Sequence, residues 1–207
     1  MSESLPEVHL VRHGETAWTL AARFTGRIEI PLTERGERDA ARLADVLRGI
    51  EFTRAFTSPL GRARRTCELA GFGAVAAVDP DLSEWDYGTY EGRTREQIRE
   101  GKPDWFLFRD GCPGGESVVA VGARADRVVA RLRAAGGRIL LFGHGHFSRV
   151  LAARWLAQPA GNGACFELVP CARCILSYEH PLEIPTIRLW NQSLEGPASG
   201  PVTPRRS

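Results

Sequence analysis

The feature that most restricts the fold is an alternation: short apolar runs, each followed by a stretch with helical spacing, repeat down the chain. Residues 8–11 are a brief apolar run that breaks off at Arg12-His13-Gly14. From Leu32-Thr33-Glu34 a helical period begins, with Ala40, Leu43, Ala44 and Leu47 on one face. Residues 53–57 read as a second strand, after which Ser58 is expected to cap a helix that Pro59 opens and Gly71 stops. Residues 75–78 read as a third strand and residues 84–93 as loop. Thr94-Arg95-Glu96-Gln97 has the form of a capping box. A long helical period over residues 116–135 ends at Gly136-Gly137, and residues 138–142 form a strongly apolar fourth strand running into Gly143-His144-Gly145-His146 and a helix to about Leu156. Residues 165–169, 174–178 and 184–190 are expected as later strands.

Strands alternating with helices call for a mostly parallel sheet covered on both faces, a three-layer α/β/α sandwich. No linker, repeat or low-complexity block interrupts residues 5–192, so residues 1–195 read as a single domain. Residues 196–207, rich in Gly, Pro, Ser and Arg, read as a disordered tail.

Composition narrows the partners. A net charge of +2 over 207 residues gives no reason to expect nucleic acid or a membrane surface. No apolar run reaches the roughly 18 to 20 residues of a membrane span, and a strand beginning at Val8 leaves no room for a secretory signal. Five cysteines, an odd number without framework spacing, fit a reducing cytoplasm. Of the 27 basic residues only Lys102 is a lysine. Biased codon usage explains that, although the arginine fork also suits phosphate.

In open parallel sheets ligands bind at the carboxyl ends of the strands. Two strands here end in histidine motifs, so if they are neighbours His13 and His144 face one crevice. Gly14 and Gly145 beside them allow close approach of backbone and substrate. Arg62 lies in the first turns of its helix, where guanidinium and helix terminus both attract an anion. Two histidines, Arg12, Arg62 and a nearby carboxylate suit a phosphoryl group: one imidazole attacks phosphorus while the other stabilises the equatorial oxygens. Glu84 is placed to protonate the leaving oxygen, if burial beside Trp85 and Tyr87 or a bound phosphate keeps its proton near neutral pH.

The strings Leu10-Val11-Arg12-His13-Gly14-Glu15-Thr16, Thr57-Ser58-Pro59-Leu60-Gly61-Arg62-Ala63, Glu84-Trp85-Asp86-Tyr87-Gly88 with Glu91-Gly92, and Gly143-His144-Gly145-His146 resemble the histidine phosphatase superfamily, of phosphoglycerate mutase-like fold. The motifs occur in the family's order, and the resemblance covers roughly residues 7–192. It implies that His13 is phosphorylated during turnover, that Arg12, Arg62 and His144 form the phosphate pocket, and that Glu84 is the proton donor. Thr25-Gly26 matches a loop closing over substrate with backbone groups available to it. The departures from the mutase pattern are Trp85 after the glutamate, Thr94-Arg95, the short segment 101–116, and His146 after the second His-Gly. Thr19 stands where many members carry asparagine, and its hydroxyl remains as a donor.

The strings Glu84-Trp85-Asp86-Tyr87-Gly88, Arg109-Asp110-Gly111-Cys112 and Gly143-His144-Gly145-His146-Phe147 look most like phosphatases of the group that includes fungal-type sedoheptulose bisphosphatase and bacterial acid phosphatases. The expected activity is cofactor-free hydrolysis of a small, sugar-phosphate-like phosphomonoester through phosphohistidine. Thr19, Thr25, Gly26, Trp85, Tyr87, Gly145 and His146 would contact the substrate. A phosphoglycerate mutase-type isomerase and a non-catalytic binder of phosphorylated ligands are the alternatives; a homodimer is compatible with all three. Cys171 and Cys174, with Cys165 and His180 near, raise the thought of zinc, but strand alternation would point the thiols apart. No metal is expected. The run Trp105 to Phe108 is read as core and His9 as structural.

Overall fold

Residues 139–142, Ile-Leu-Leu-Phe, carry apolar side chains on both faces of a strand, which must therefore be covered on both sides. The computed structural model describes residues 5–179 and 183–194. Its elements are β1 (Glu7–Arg12), α1 (Ala17–Leu20), α2 (Glu34–Leu47), β2 (Arg54–Thr57), α3 (Gly61–Leu69), β3 (Ala77–Val78), α4 (Arg95–Arg99), α5 (Leu107–Asp110), α6 (Val118–Ala135), β4 (Arg138–Gly143), α7 (Gly145–Trp155), β5 (Arg173–Glu179) and β6 (Ile184–Gln192).

Alternate residues of β4 divide the core. Ile139 and Leu141 join Val121, Ala125 and Val128 of α6 and Val150 and Leu151 of α7. Leu140 and Phe142 join Ala40, Leu43 and Leu47 of α2 and Cys67 of α3. None of the four strand residues is more than 1% exposed. Truncating a side chain so enclosed costs about 2–5 kcal/mol. Helix α2 earns its place through its apolar stripe and through Thr33, whose side chain accepts from Gly36 N–H at the N-terminus.

The sheet order is β3-β2-β4-β1-β5-β6. The first four strands are mutually parallel, whereas β5 and β6 are antiparallel additions beside β1. The sheet is therefore mixed, parallel where the helix-crossover rhythm predicts it. Arg12 lies opposite Gly143 in the β1–β4 register, so the two histidine motifs leave neighbouring strands side by side.

Two expectations are corrected. Ser58 does not cap a helix beginning at Pro59; α3 starts at Gly61 with no side-chain cap from Leu60. The Ser58 hydroxyl is engaged by His144 at 2.7 Å, and the Glu29 carboxylate accepts from the Gly61 N–H at 3.0 Å instead. Residues 165–169 are not a strand. A 3₁₀ helix spans Ala160–Cys165, and the following backbone bonds to side chains rather than a ladder: Leu168 O accepts from Arg12, Glu167 O from Trp190, and Val169 N–H donates to Asn191. The third strand shortens to two residues. The expected tail at 196–207 and His180 lie outside the described residues.

Candidate active site

The parallel pairing of β1 with β4 carries straight into the site: the His13 N–H donates to Gly143 O at 2.9 Å, one step beyond the strands. The His13 and His144 rings then lie with centroids 5.2 Å apart. His13 Nδ1 is 2.7 Å from Gly14 O. A carbonyl only accepts, so Nδ1 carries the proton and Nε2 keeps its lone pair. Burial, then Arg12 and Arg62, hold the His13 imidazole well below the ordinary histidine range and hence neutral. A neutral imidazole with its Nε2 lone pair free has what a nucleophile needs.

His144 is fully covered, and burial followed by Arg62, His13 and Arg12 keeps it neutral too. Ser58 Oγ faces its Nε2. Thr66 ties the two motifs together, accepting from Gly14 N–H at 3.0 Å and donating to Arg62 O at 2.8 Å. Arg62, 1% exposed, donates to Thr25 O, Gly26 O and Ile28 O. Gly145 lets the Arg12 guanidinium lie close: a Cβ there would stand 3.2 Å from it, and the arginine would have to shift by a few tenths of an ångström.

Four buried side-chain nitrogens among the described residues have no partner: Arg12 Nε, Arg62 Nε, His144 Nδ1 and His9 Nδ1. Three of the four belong to the residues assigned to phosphate from the sequence. Buried polar groups without partners are rare and costly, and a multi-oxygen anion is the acceptor that would satisfy this cluster.

Glu84 is buried at the start of α7. Its Oε1 accepts from Trp85 and Phe147 N–H at 2.9 and 2.8 Å, and its Oε2 from His146 N–H at 3.1 Å. Oε2, with a single bond, has the freer lone pair. The Tyr87 hydroxyl lies 2.6 Å from His146 Nδ1. Burial raises the Tyr87 phenol well above its usual range and, with Arg149, Arg12 and Arg95, lowers His146 well below its own.

A cleft of about 320 Å³ opens over this group, lined by Arg12, His13, Glu84, Thr19, Thr25, Tyr87, Gly145 and His146. Trp85 and Gly26 do not line it. The Trp85 indole is 0% exposed in the core, donating to Glu116 O. The Gly26 N–H donates to Glu91 and its carbonyl accepts from Arg62, so neither is available to substrate. Thr19 reaches the cleft, but its hydroxyl donates to Thr16 O at 2.8 Å and accepts from Thr16 N–H at 2.9 Å, the latter closing a capping box, so it offers no free donor. Arg62 and His144 stand behind the lining. Trp105, Leu107 and Phe108 are core, and His9 pairs with Glu7 at 3.1 Å. Cys171 and Cys174 are buried, Cys165 exposed, and Cys174 Sγ accepts from Asn191 N–H.

Sequence reasoning missed Ser58 as the partner of His144, and it missed the mouth. Arg23, Arg95 and Arg149 line the outer cleft together with Glu96 and Phe24. Arg149 offered the one available signal, lying one turn beyond Gly145 on α7 and so on the same helix face.

Comparison with known proteins agrees with the geometry. Residues 8–193 match the profile of the histidine phosphatase superfamily, branch 1. The chain is 43% identical over 175 residues to an acid phosphatase of Mycobacterium tuberculosis, covering 83% of this chain and 86% of that one. It is 35% identical over 187 residues to the sedoheptulose 1,7-bisphosphatase of Saccharomyces cerevisiae, covering 75% and 69%. It is 33% identical over 186 residues to a probable phosphoglycerate mutase of Photorhabdus laumondii, covering 84% and 86%. The solved structure of a Mycobacterium tuberculosis open reading frame superposes with a TM-score of 0.85 at 38% identity, over 90% of this chain and 97% of that one. With the motifs in order, the rings converged and the profile matched from β1 to β6, this chain belongs to the histidine phosphatase superfamily.

Proposed function

We propose that this phosphatase hydrolyses a small, sugar-phosphate-like monoester through a phosphohistidine at His13. The phosphoryl group is held by Arg12, Arg62 and His144: the unpartnered Nε–H groups of the two arginines donate to it, and His144 Nδ1 does so in the tautomer in which Ser58 donates to its Nε2. His13 Nε2 attacks phosphorus as the ester P–O bond breaks, and Glu84 gives the leaving oxygen its proton. Water then attacks phosphorus, Glu84 taking its proton, and as the new P–O bond forms the P–N bond breaks, releasing phosphate and restoring the imidazole. The observation that carries this reading is the coincidence of a lone pair fixed on His13 Nε2 by Gly14 O with unpartnered buried nitrogens on Arg12, Arg62 and His144.

Hydrolysis rather than isomerisation is favoured by the segment 101–116, which is short and packed into the core at Trp105, Leu107 and Phe108. A mutase has to retain its product and turn it over within the pocket; a phosphatase needs only to admit water. The arginines at the mouth favour substrates with further negative charge. A cytoplasmic location is supported by cysteines that are all free thiols.

The test is a panel of sugar phosphates and phosphoglycerate, assayed with chelator present for phosphate release and for isomer exchange. Release outpacing exchange is the expected result. Fast exchange without release would replace this reading by a mutase, and tight binding without turnover would replace it by a binding protein.

A further inference from the structure

Arg124 lies on α6, outside the cleft lining, yet it is almost wholly buried. Its five N–H groups make five hydrogen bonds. Nε and Nη2 grip the two oxygens of the Glu116 carboxylate at 2.8 and 2.6 Å. Nη1 donates to Asp81 O and Ser83 O at 2.9 and 2.7 Å, and Nη2 also to Glu84 O at 3.3 Å. One guanidinium thus fastens the main chain on both sides of the Glu84 side chain.

Its partner Glu116 fastens the next residues. Glu116 Oε2 accepts from Asp86 N–H at 3.0 Å, and Glu116 O from the Trp85 indole at 2.9 Å. The same guanidinium lies 4.2 Å over the ring of Phe147, whose N–H donates to Glu84 Oε1. Arg124 therefore acts on Glu84 from both ends: through the backbone that carries it and through the residue whose amide holds its carboxylate. A planar five-donor fork can do this; an ammonium cannot.

We infer that Arg124, with Glu116, is the positioning residue for Glu84, aligning its carboxyl with the leaving oxygen without touching substrate. This rests on Glu84 being the proton donor. Misplacing a general acid by an ångström is costly because proton transfer needs hydrogen-bond reach. The loss should fall on esters whose leaving group requires a proton, and spare those whose leaving group departs as a stable anion.

The experiment compares kcat/KM for glycerol phosphate and dinitrophenyl phosphate in the full-length wild type, Arg124→Lys, Glu116→Gln and Glu84→Gln. Positioning predicts that Arg124→Lys loses about 10²-fold on glycerol phosphate, the lower end of what a general acid contributes, and far less on dinitrophenyl phosphate. Glu116→Gln should show the same selectivity, smaller, and serves alone if Arg124→Lys does not fold. Equal losses on both esters would mean a merely structural role and overturn the inference. If Glu84→Gln is selective and neither clamp variant is, the clamp is wrong and the acid assignment stands. If Glu84→Gln itself shows no selectivity, the acid assignment fails and the inference with it.

Discussion

The inner end of the cleft and its mouth are built differently. Inside, His13, His144 and Arg62 are each 3% exposed or less, and each is tied to main chain or to a buried hydroxyl. They rise from the ends of neighbouring central strands and the first turn of α3, elements pinned by the core. At the mouth, Arg23 and Arg95 are exposed, and Arg149 rests over the Phe108 ring with its head group bonded to Gly163 O and Ala164 O. Rigid interior groups are suited to a chemical step that needs fixed geometry, and surface cations to choosing among anions. On the proposed function, the interior would serve the chemistry and the mouth the choice of substrate.

The sharpest way to break that division is His13→Ala. It should lower turnover on every phosphomonoester by on the order of 10⁴-fold or more, as loss of a covalent nucleophile does. Rapid quenching with labelled substrate should trap an acid-labile phosphoenzyme in the wild type and none in the variant. A variant with undiminished turnover would show that the buried end is not where the chemistry occurs.

Arg149→Ala and Arg95→Ala probe the other side of the contrast. Each should reduce kcat/KM by about tenfold, or about 1.4 kcal/mol, on substrates bearing a second anionic group, with a smaller loss on nitrophenyl phosphate. The effect should weaken as salt is raised. Uniform losses across substrates would make the mouth part of the phosphoryl machinery and erase the distinction.

The remaining expected effect is on stability rather than on turnover. As pH falls through about 6.5 the imidazoles of an unfolded chain take up protons. In the folded protein burial, reinforced by Arg12 and Arg62, keeps His13 and His144 neutral to lower pH. The unfolded state then binds more protons, so stability declines below about pH 6.5, by at most about 1.4 kcal/mol per pH unit for each such histidine. Calorimetric melting between pH 7 and pH 5 should show this decline. His13→Asn should make it shallower, and Arg23→Ala, at the mouth and away from every buried imidazole, should leave its slope alone; a slope equally sensitive to both would contradict the assignment of this pH dependence to the interior.

Much of the interior was legible because its signals are local. A histidine flanked by glycine at the end of an apolar run marks a strand terminus facing a crevice, and two such motifs of one kind imply a shared site. Trp85 was misplaced for the opposite reason. Next to a glutamate read as the proton donor an indole reads as a substrate wall, but its destination depends on Glu116, whose carbonyl accepts the indole N–H. Ser58 carries the same lesson: Ser-Pro is a helix start by local rules, and only the arrival of His144 from β4 redirects its hydroxyl.

By itself the amino-acid order determined the family and most of the succession of strands and helices, and it singled out His13 as the candidate nucleophile, since these depend on periodicity and on motifs a few residues long. Tertiary structure alone decided the tautomer of His13, the orphaned nitrogens, the ring of arginines at the mouth and the grip of Arg124 on the Glu84 loop. Those depend on which groups meet across the fold and are shut away from water, and burial is a property of the packed chain rather than of any residue in it.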